Sequence, residues 1–519
     1  MVDRRSLPEG DRVDGREVTG AIERRCDVVV VGSGPAGASV AADLAARGLD
    51  VVVVEAGRWF RPDEFRPGAF DSMGAAYRQM GASVVVGSGP MPYLQGRMVG
   101  GSSPINGAIC WRLPHDVHQE WVAADPVLGD ALPWEALESI TDRIEARLGV
   151  APTDPAVAGP KNELMARGAE ALGLAHRPIR RNVDGCRGLG RCMQGCPEGN
   201  KLSVDRTLLV DALAHGATVI SSVEVDRLLV ERGRAVGVSG RAEGGGVVRV
   251  RADRAVVVAA SAVQTPALLL ANGLVHGPVG RHFQGHPGIS MSGRFAEPVR
   301  MWEGASQGHE VTGLRHEGLK FEVLGLPLDV LAVRMPGVGR DLARHLEDLA
   351  HHVDWGAAVR AEAHGRVRLV RGRTVVTYRP TANDLAKFRQ GLRVMGELLF
   401  AAGAESVDLG LRGYPSHVTD PADLARLEAD GPRRASAFTS AVTHLFGTAR
   451  MGADPARSVV GPDFRHHDVD RLYVADSSVF PTNTGVNPQI SIMALATLCA
   501  RRIAGVDPDR PPEPTRSTS

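Results

Sequence analysis

The stretch "CDVVVVGSGPAGASVAADLAARGLDVVVVEAG", residues 26–57, constrains the fold more than any other part of the chain. It reads as strand, glycine turn, helix and strand. The two valine runs lack polar alternation, as expected of strands buried on both faces of a parallel sheet. Residues 40–47 are alanine-rich with helical periodicity, and Gly48 closes the helix. Between strand and helix, Gly32, Gly34 and Gly37 are spaced G-x-G-x-x-G. The first glycine permits a tight turn, the second lets backbone approach a pyrophosphate, and the third lets helix and strand pack closely. The start of the helix offers unpaired N–H groups to phosphates. Glu55 ends the second strand, where an acid can accept hydrogen bonds from a ribose. An α/β chain with a Rossmann-like unit and a bound dinucleotide follows.

The remaining sequence extends this plan. "GRAVGVSGRAEGGGVVRVRADRAVVVAAS" reads as strands joined by a glycine-rich hairpin, and "TPALLLANG" as a short helix. Residues 290–440 mix strands such as "RVRLVRGRTVVTYRP" with helices such as "DLAKFRQGLRVMGELLFAAG", which points to an added antiparallel sheet with helices. Lys plus Arg and Asp plus Glu both number 60, so no global field favours nucleic acid or an anionic membrane. The N-terminal "MVDRRSLPEGDRVDGREVTGAIERR" has no apolar run of signal-peptide length, and no segment reads as a membrane span. A cytoplasmic protein is the expectation.

Of six cysteines, Cys186, Cys192 and Cys196 fall in "CRGLGRCMQGCPEGNK". Thiolates at this density on a glycine-rich loop suit an iron–sulfur cluster. Zinc or a 4Fe-4S cluster would want a fourth ligand, and the loop has none; three fit a 3Fe-4S cluster. Lys201 and Arg191 would offset its negative charge. The other reading is a structural loop with free thiols or one local disulfide.

Four distant segments carry a resemblance. "GRMVGGSSPINGA" (96–108), "SAVQTPALLLANG" (261–273), "THLFGTARMG" (443–452) and "LYVADSSVFPTNTGVNPQISIMALA" (472–496) together resemble the glucose–methanol–choline (GMC) oxidoreductases, FAD enzymes that oxidise alcohols. The resemblance implies a Rossmann-like FAD-binding domain over 22–285 and 441–508 and a substrate domain over 286–440. In the first lie a flavin loop (96–112) and the cysteine loop (184–201); residues 1–21 and 509–519 would be flexible termini. It sets Gly100, Gly101, Ser102 and Ser103 along the flavin ring, with Asn106 just beyond. Val225 would meet the adenine, and Asp476, followed by Ser477, would lie near the pyrophosphate and ribityl chain. Ile105 stands where some members carry a histidine bonded to the flavin, so FAD is expected to be non-covalent. Asn272 replaces a usual serine.

His444 matches the catalytic histidine and Asn487 its partner, with Pro488 fixing the turn behind it. A histidine suits the abstraction of a hydroxyl proton because its ordinary pKa lies near working pH. His345, His351 and His352 read as a solvated helix face, His466 and His467 as turn residues, and His286 as structural. The cysteine loop resembles that of bacterial sugar dehydrogenases, which implies a dehydrogenase for a sugar-like polyol. Electrons would leave through the cluster to an acceptor protein or small redox acceptor. Long-chain alcohol oxidases and some aminoglycoside-modifying oxidoreductases have a similar loop. An oxygen-using oxidase with an inert loop, or a redox-silent lyase on the same scaffold, are the alternatives.

Overall fold

The computed structural model describes residues 9–335 and 337–507, so the expected C-terminal tail at 509–519 and residues 1–8 lie outside the described residues. The valine runs form the centre of an eight-stranded sheet. Ala21–Val31 lies between Val51–Val54 and Val247–Val258, all parallel, and Leu472–Val474 runs beside the last of these. Val28–Val30, Val51–Val54 and Val256–Val258 are almost wholly buried, because helices cover the parallel part of the sheet. The helix Pro35–Ala45 starts on Gly34 with proline at its first position and packs on the C-terminal helix Gln489–Ala504. Alanine side chains on the first helix allow that close approach. The expected glycine-rich hairpin joins Arg234–Ala242 to Val247–Val258. Arg12–Asp14, within a stretch expected as a flexible arm or an edge element, pairs with Thr218–Ser221 as an edge strand.

Register brings four chain reversals to one place. Val31 pairs with both Val54 and Val258, and Val258 pairs with Val474. Gly32, Glu55, Ala259 and the segment before Asp476 therefore leave the sheet together at its carboxyl edge, where open α/β sheets bind their ligands.

The second sheet is mostly antiparallel and centres on Gln284–Arg294, flanked by His352–Val359, Ser440–Phe446 and Ser406–Asp408. Leu319–Leu324 and His309–Val311 continue it, and His176–Pro178 joins from within the nominal first domain. Alternation divides its faces. Ile289, Met291, Phe321, Val323 and Trp355 pack into a second core with the helix Ala382–Ala401. On the other face Gly288, Ser290, Gly356, Ala358 and Ala441 are small and leave open space. That helix begins on a capping box between Thr381 and Asp384. The expected hairpin Arg366–Val370 with Arg373–Tyr378 joins Val84–Gly87 in a third, smaller sheet. No helix among the described residues is long and apolar enough to cross a membrane.

Candidate active site

A cavity of about 1230 Å³ lies between the carboxyl edge of the first sheet and the small-residue face of the second. Single drug-sized ligands occupy roughly 300–1,000 Å³, so this volume suits a dinucleotide together with a substrate. Of the predicted cofactor residues, Gly32, Gly34, Glu55, Gly101, Ser102, Ser103, Asn106, Val225, Asp476 and Ser477 line it. Gly37 and Gly100 do not, and their roles are local. A Cβ on Gly37 would lie 1.9 Å from the carbonyl oxygen of Gly32, so only glycine lets the helix sit against the turn. Gly100 has φ +92°, and its N–H donates to Ser33 Oγ (3.0 Å).

Around the phosphate turn the geometry fits a dinucleotide. A Cβ on Gly34 would meet nothing nearer than Gly101 Cα at 3.8 Å, which leaves that backbone open to the cavity. Glu55 accepts from Ser33 N–H (2.9 Å), Ser33 Oγ–H (2.7 Å) and Gly57 N–H (2.9 Å). These bonds aim the carboxylate at the cavity, and it has lone pairs left for ribose hydroxyls. Asp476 accepts from the N–H groups of Ser261 (3.0 Å) and Ser478 (2.8 Å), while burial pushes its carboxyl up. Ser261 is a cavity residue that sequence reasoning passed over. It holds φ +93° without being glycine, fixed by Asp476 and by Gln95, whose Nε2–H donates to its hydroxyl (2.8 Å). Asn106 donates to Gln489 Oε1 (2.9 Å) and accepts from Ala108 N–H (2.8 Å), which ties the flavin loop to the helix after Asn487.

His444 and Asn487 line the same cavity as this loop. Burial first, and then the positive charge of Lys320, pull the His444 imidazole down to about 3. Its Nδ1 lies 3.1 Å from Nδ1 of His286. The expectation that His286 is merely structural is corrected here: it is fully enclosed, lines the cavity and shares a proton position with the candidate base. On its far side, His286 Nε2 meets two fixed partners. The N–H of Gly485 donates to it (2.9 Å), and Asn483 Oδ1 stands 3.2 Å away. Asn483 cannot be reversed, since its own NH₂ donates to the carbonyl of Ala361 (2.7 Å). The Gly485 N–H favours a lone pair on His286 Nε2 and the proton on Nδ1, shared with His444; the other tautomer donates to Asn483 Oδ1 but faces the Gly485 N–H.

Asn487 Oδ1 accepts from the ammonium of Lys320 (2.9 Å), which also pairs with Glu310 and Glu322. None of these three appeared among the sequence candidates. Burial works against the Lys320 charge, but the two carboxylates outweigh it and raise its pKa. Reading His352 as part of a solvated helix face is also overturned. It opens the strand His352–Val359 and is buried, because the helix ends at Glu347 and the chain turns into the sheet.

The cysteine loop abuts the cavity without opening into it. Met193 reaches the cavity lining, Tyr77 Oη–H donates to Met193 O (2.6 Å), and Lys201 donates to the carbonyls of Cys192 (2.7 Å) and Asn106 (2.8 Å). Cys186, Cys192 and Cys196 line a separate space of about 30 Å³, room for one or two waters. Arg181, buried, directs Nη2 at Cys192 Sγ (3.1 Å) and Nη1 at Cys186 Sγ (3.8 Å). Burial raises the Cys192 thiol, and the charges of Arg181 and Lys201 outweigh it, holding it below the ordinary thiol range. Among the described residues no three Cys, His, Asp or Glu side chains are arranged to hold a metal ion. The three cysteines line one small space, but Arg181 lies against two of the sulfurs, and the expected 3Fe-4S cluster finds no support. Of the two residues expected to balance its charge, Arg191 is exposed and Lys201 is buried, and Arg181 and Lys161 are further buried cations.

Comparison with known proteins agrees with this geometry. Residues 27–288 match the N-terminal and 361–496 the C-terminal part of the GMC oxidoreductases. An uncharacterized GMC-type oxidoreductase of Mycobacterium tuberculosis is 39% identical over 479 residues, 92% of this chain and 75% of that one. A long-chain-alcohol oxidase of Arabidopsis thaliana is 29% identical over 511 residues, 92% and 67% of the two chains. Among solved structures, pyridoxine 4-oxidase from Mesorbium loti superimposes with a TM-score of 0.71 at 19% identity, covering 93% of this chain and all of that one. With its two-part match, its sheets and the cavity between them, the chain belongs to the GMC oxidoreductases and is an FAD-dependent oxidoreductase acting on CH–OH groups.

Proposed function

We propose that the chain oxidises an alcohol with an apolar body to its carbonyl compound, with His444 as the base and Asn487 donating a hydrogen bond to the substrate oxygen. FAD, held by Gly32, Gly34, Glu55, Gly101, Ser102 and Asp476, would supply the hydride acceptor. The observation that carries the reading is the shared wall. His444 and Asn487 stand in one cavity with the flavin loop, and His444 is kept neutral by burial and by Lys320. For His444 Nε2 to accept the substrate proton, His444 must hold its own on Nδ1, with His286 protonated on Nε2 toward Asn483 and turned from the Gly485 N–H.

Leu324, Leu326 and Phe438 line the cavity beside Ser290, Gln307, Arg412 and Thr439, and the apolar group carries the choice of an apolar alcohol over a sugar-like polyol. The cysteine loop serves as a brace with no electron step through it, and oxygen is the acceptor; relatives named as long-chain-alcohol oxidases support this choice. Anaerobic mixing of the holoenzyme with octanol, dodecanol, benzyl alcohol and glucose tests it. The apolar alcohols should bleach the flavin and yield one carbonyl per flavin, and air should restore the colour. Bleaching by glucose alone would overturn the substrate class, and a reduced flavin that air leaves bleached would overturn the oxidase. Cleavage of a cyanohydrin with no bleaching would replace the whole reading with a lyase.

A further inference from the structure

We propose that Lys320 is a positioning residue that fixes which face of the Asn487 amide meets the substrate; this rests on the catalytic pair proposed above. An ammonium has three N–H donors and no acceptor. Lys320 is fully enclosed, and its three donors go to Glu310 Oε2 (2.9 Å), to Glu322 Oε1 and to Asn487 Oδ1 (2.9 Å). Reversing the amide would press NH₂ against a fully enclosed ammonium, donor against donor. The oxygen of Asn487 is therefore committed to the lysine, and its NH₂ is the end left for a ligand in the cavity.

The consequence is chemical. A carbonyl oxygen turned to the substrate would accept a hydrogen bond from the alcohol and oppose the negative charge that grows as the proton leaves. An NH₂ group turned to it donates and stabilises that charge. The lysine is itself built in. Lys320 and Glu322 lie two residues apart on Leu319–Leu324 and so share a face, and Glu310 pairs across the sheet with Glu322. Glu310 takes further bonds from Trp111 Nε1–H (2.7 Å) and Arg177 Nε–H (2.8 Å), and Glu322 from Gln307 Nε2–H (2.9 Å). Each carboxylate thus keeps a partner when the lysine is replaced.

The test is a double-mutant cycle on flavin reduction by octanol under anaerobic conditions. Lys320→Met in the wild-type background should slow reduction by about 10- to 100-fold, less than the usual loss of a whole oxyanion donor. In an Asn487→Ala background the same change should add less than about twofold, because the residue it acts through is gone. Equal slowing in both backgrounds, or no slowing in the wild type, overturns the proposal and leaves the catalytic pair standing. Wild-type rates for Asn487→Ala itself would overturn the pair and this proposal together. Should Lys320→Met fail to hold FAD, Lys320→Gln gives a second readout. Its NH₂ can still donate to Asn487 Oδ1 and hold the amide, so reduction should slow by less than about tenfold. Slowing as large as that of Asn487→Ala would overturn the proposal.

Discussion

His444 is neutral because the fold leaves a charged imidazole no way to be solvated: it is enclosed, and Lys320 supplies a positive charge nearby. Its folded pKa of about 3 lies below the ordinary 6.5. Between those values an unfolded chain binds a proton that the folded chain refuses. The stability that neutral His444 contributes is therefore complete above 6.5 and falls away as pH drops from 6.5 toward 3. Catalysis should follow the folded value. The rate of flavin reduction at saturating octanol is expected to stay flat on the acid side down to about pH 5, where an ordinary histidine base would already have lost most of its activity. A fall centred near 6.5 would show that His444 titrates as a free imidazole or is not the base.

At the scale of elements, the cysteine loop links two parts of the site. Lys201 ties it to the flavin loop, while Arg181, on Arg180–Asn182, faces two of its sulfurs. Cys192→Ser replaces the sulfur that the Arg181 guanidinium faces. It should lower stability by about 1–3 kcal/mol, the range for a hydrogen bond to a charged group, while FAD content and the rate of flavin reduction stay as in the wild type. Thermal unfolding and metal analysis of anaerobically prepared, iron-replete protein check this. About three irons per chain in the wild type, lost in Cys192→Ser, would restore the cluster reading. The loop also marks where sequence reasoning ran out. Cysteine spacing is visible in one dimension, but Arg181 and Lys161 come from outside the quoted loop, and their approach to the sulfurs is a tertiary fact.

Across the whole molecule the same division holds. The first sheet was legible because its signals are local: valine runs, a glycine turn and an acid within about thirty residues. His444 and Asn487 were named from motifs of the resemblance, and both line the cavity, where their catalytic role is proposed. Lys320, Glu310, Glu322 and His286 were not legible, because each looks ordinary in its own strand and gains meaning only when the second sheet closes over the first. Alternation could have flagged Lys320 and Glu322, two charges on one face of a strand whose other residues are apolar. Everything then depends on whether the cavity between the sheets is where a proton leaves an alcohol. Anaerobic rapid mixing of FAD-loaded His444→Ala with octanol, beside the wild type, tests this most directly. The variant should keep its flavin and reduce it about 10²- to 10⁴-fold more slowly, the usual loss of a general base. Reduction at the wild-type rate, with the flavin still bound, would contradict the account.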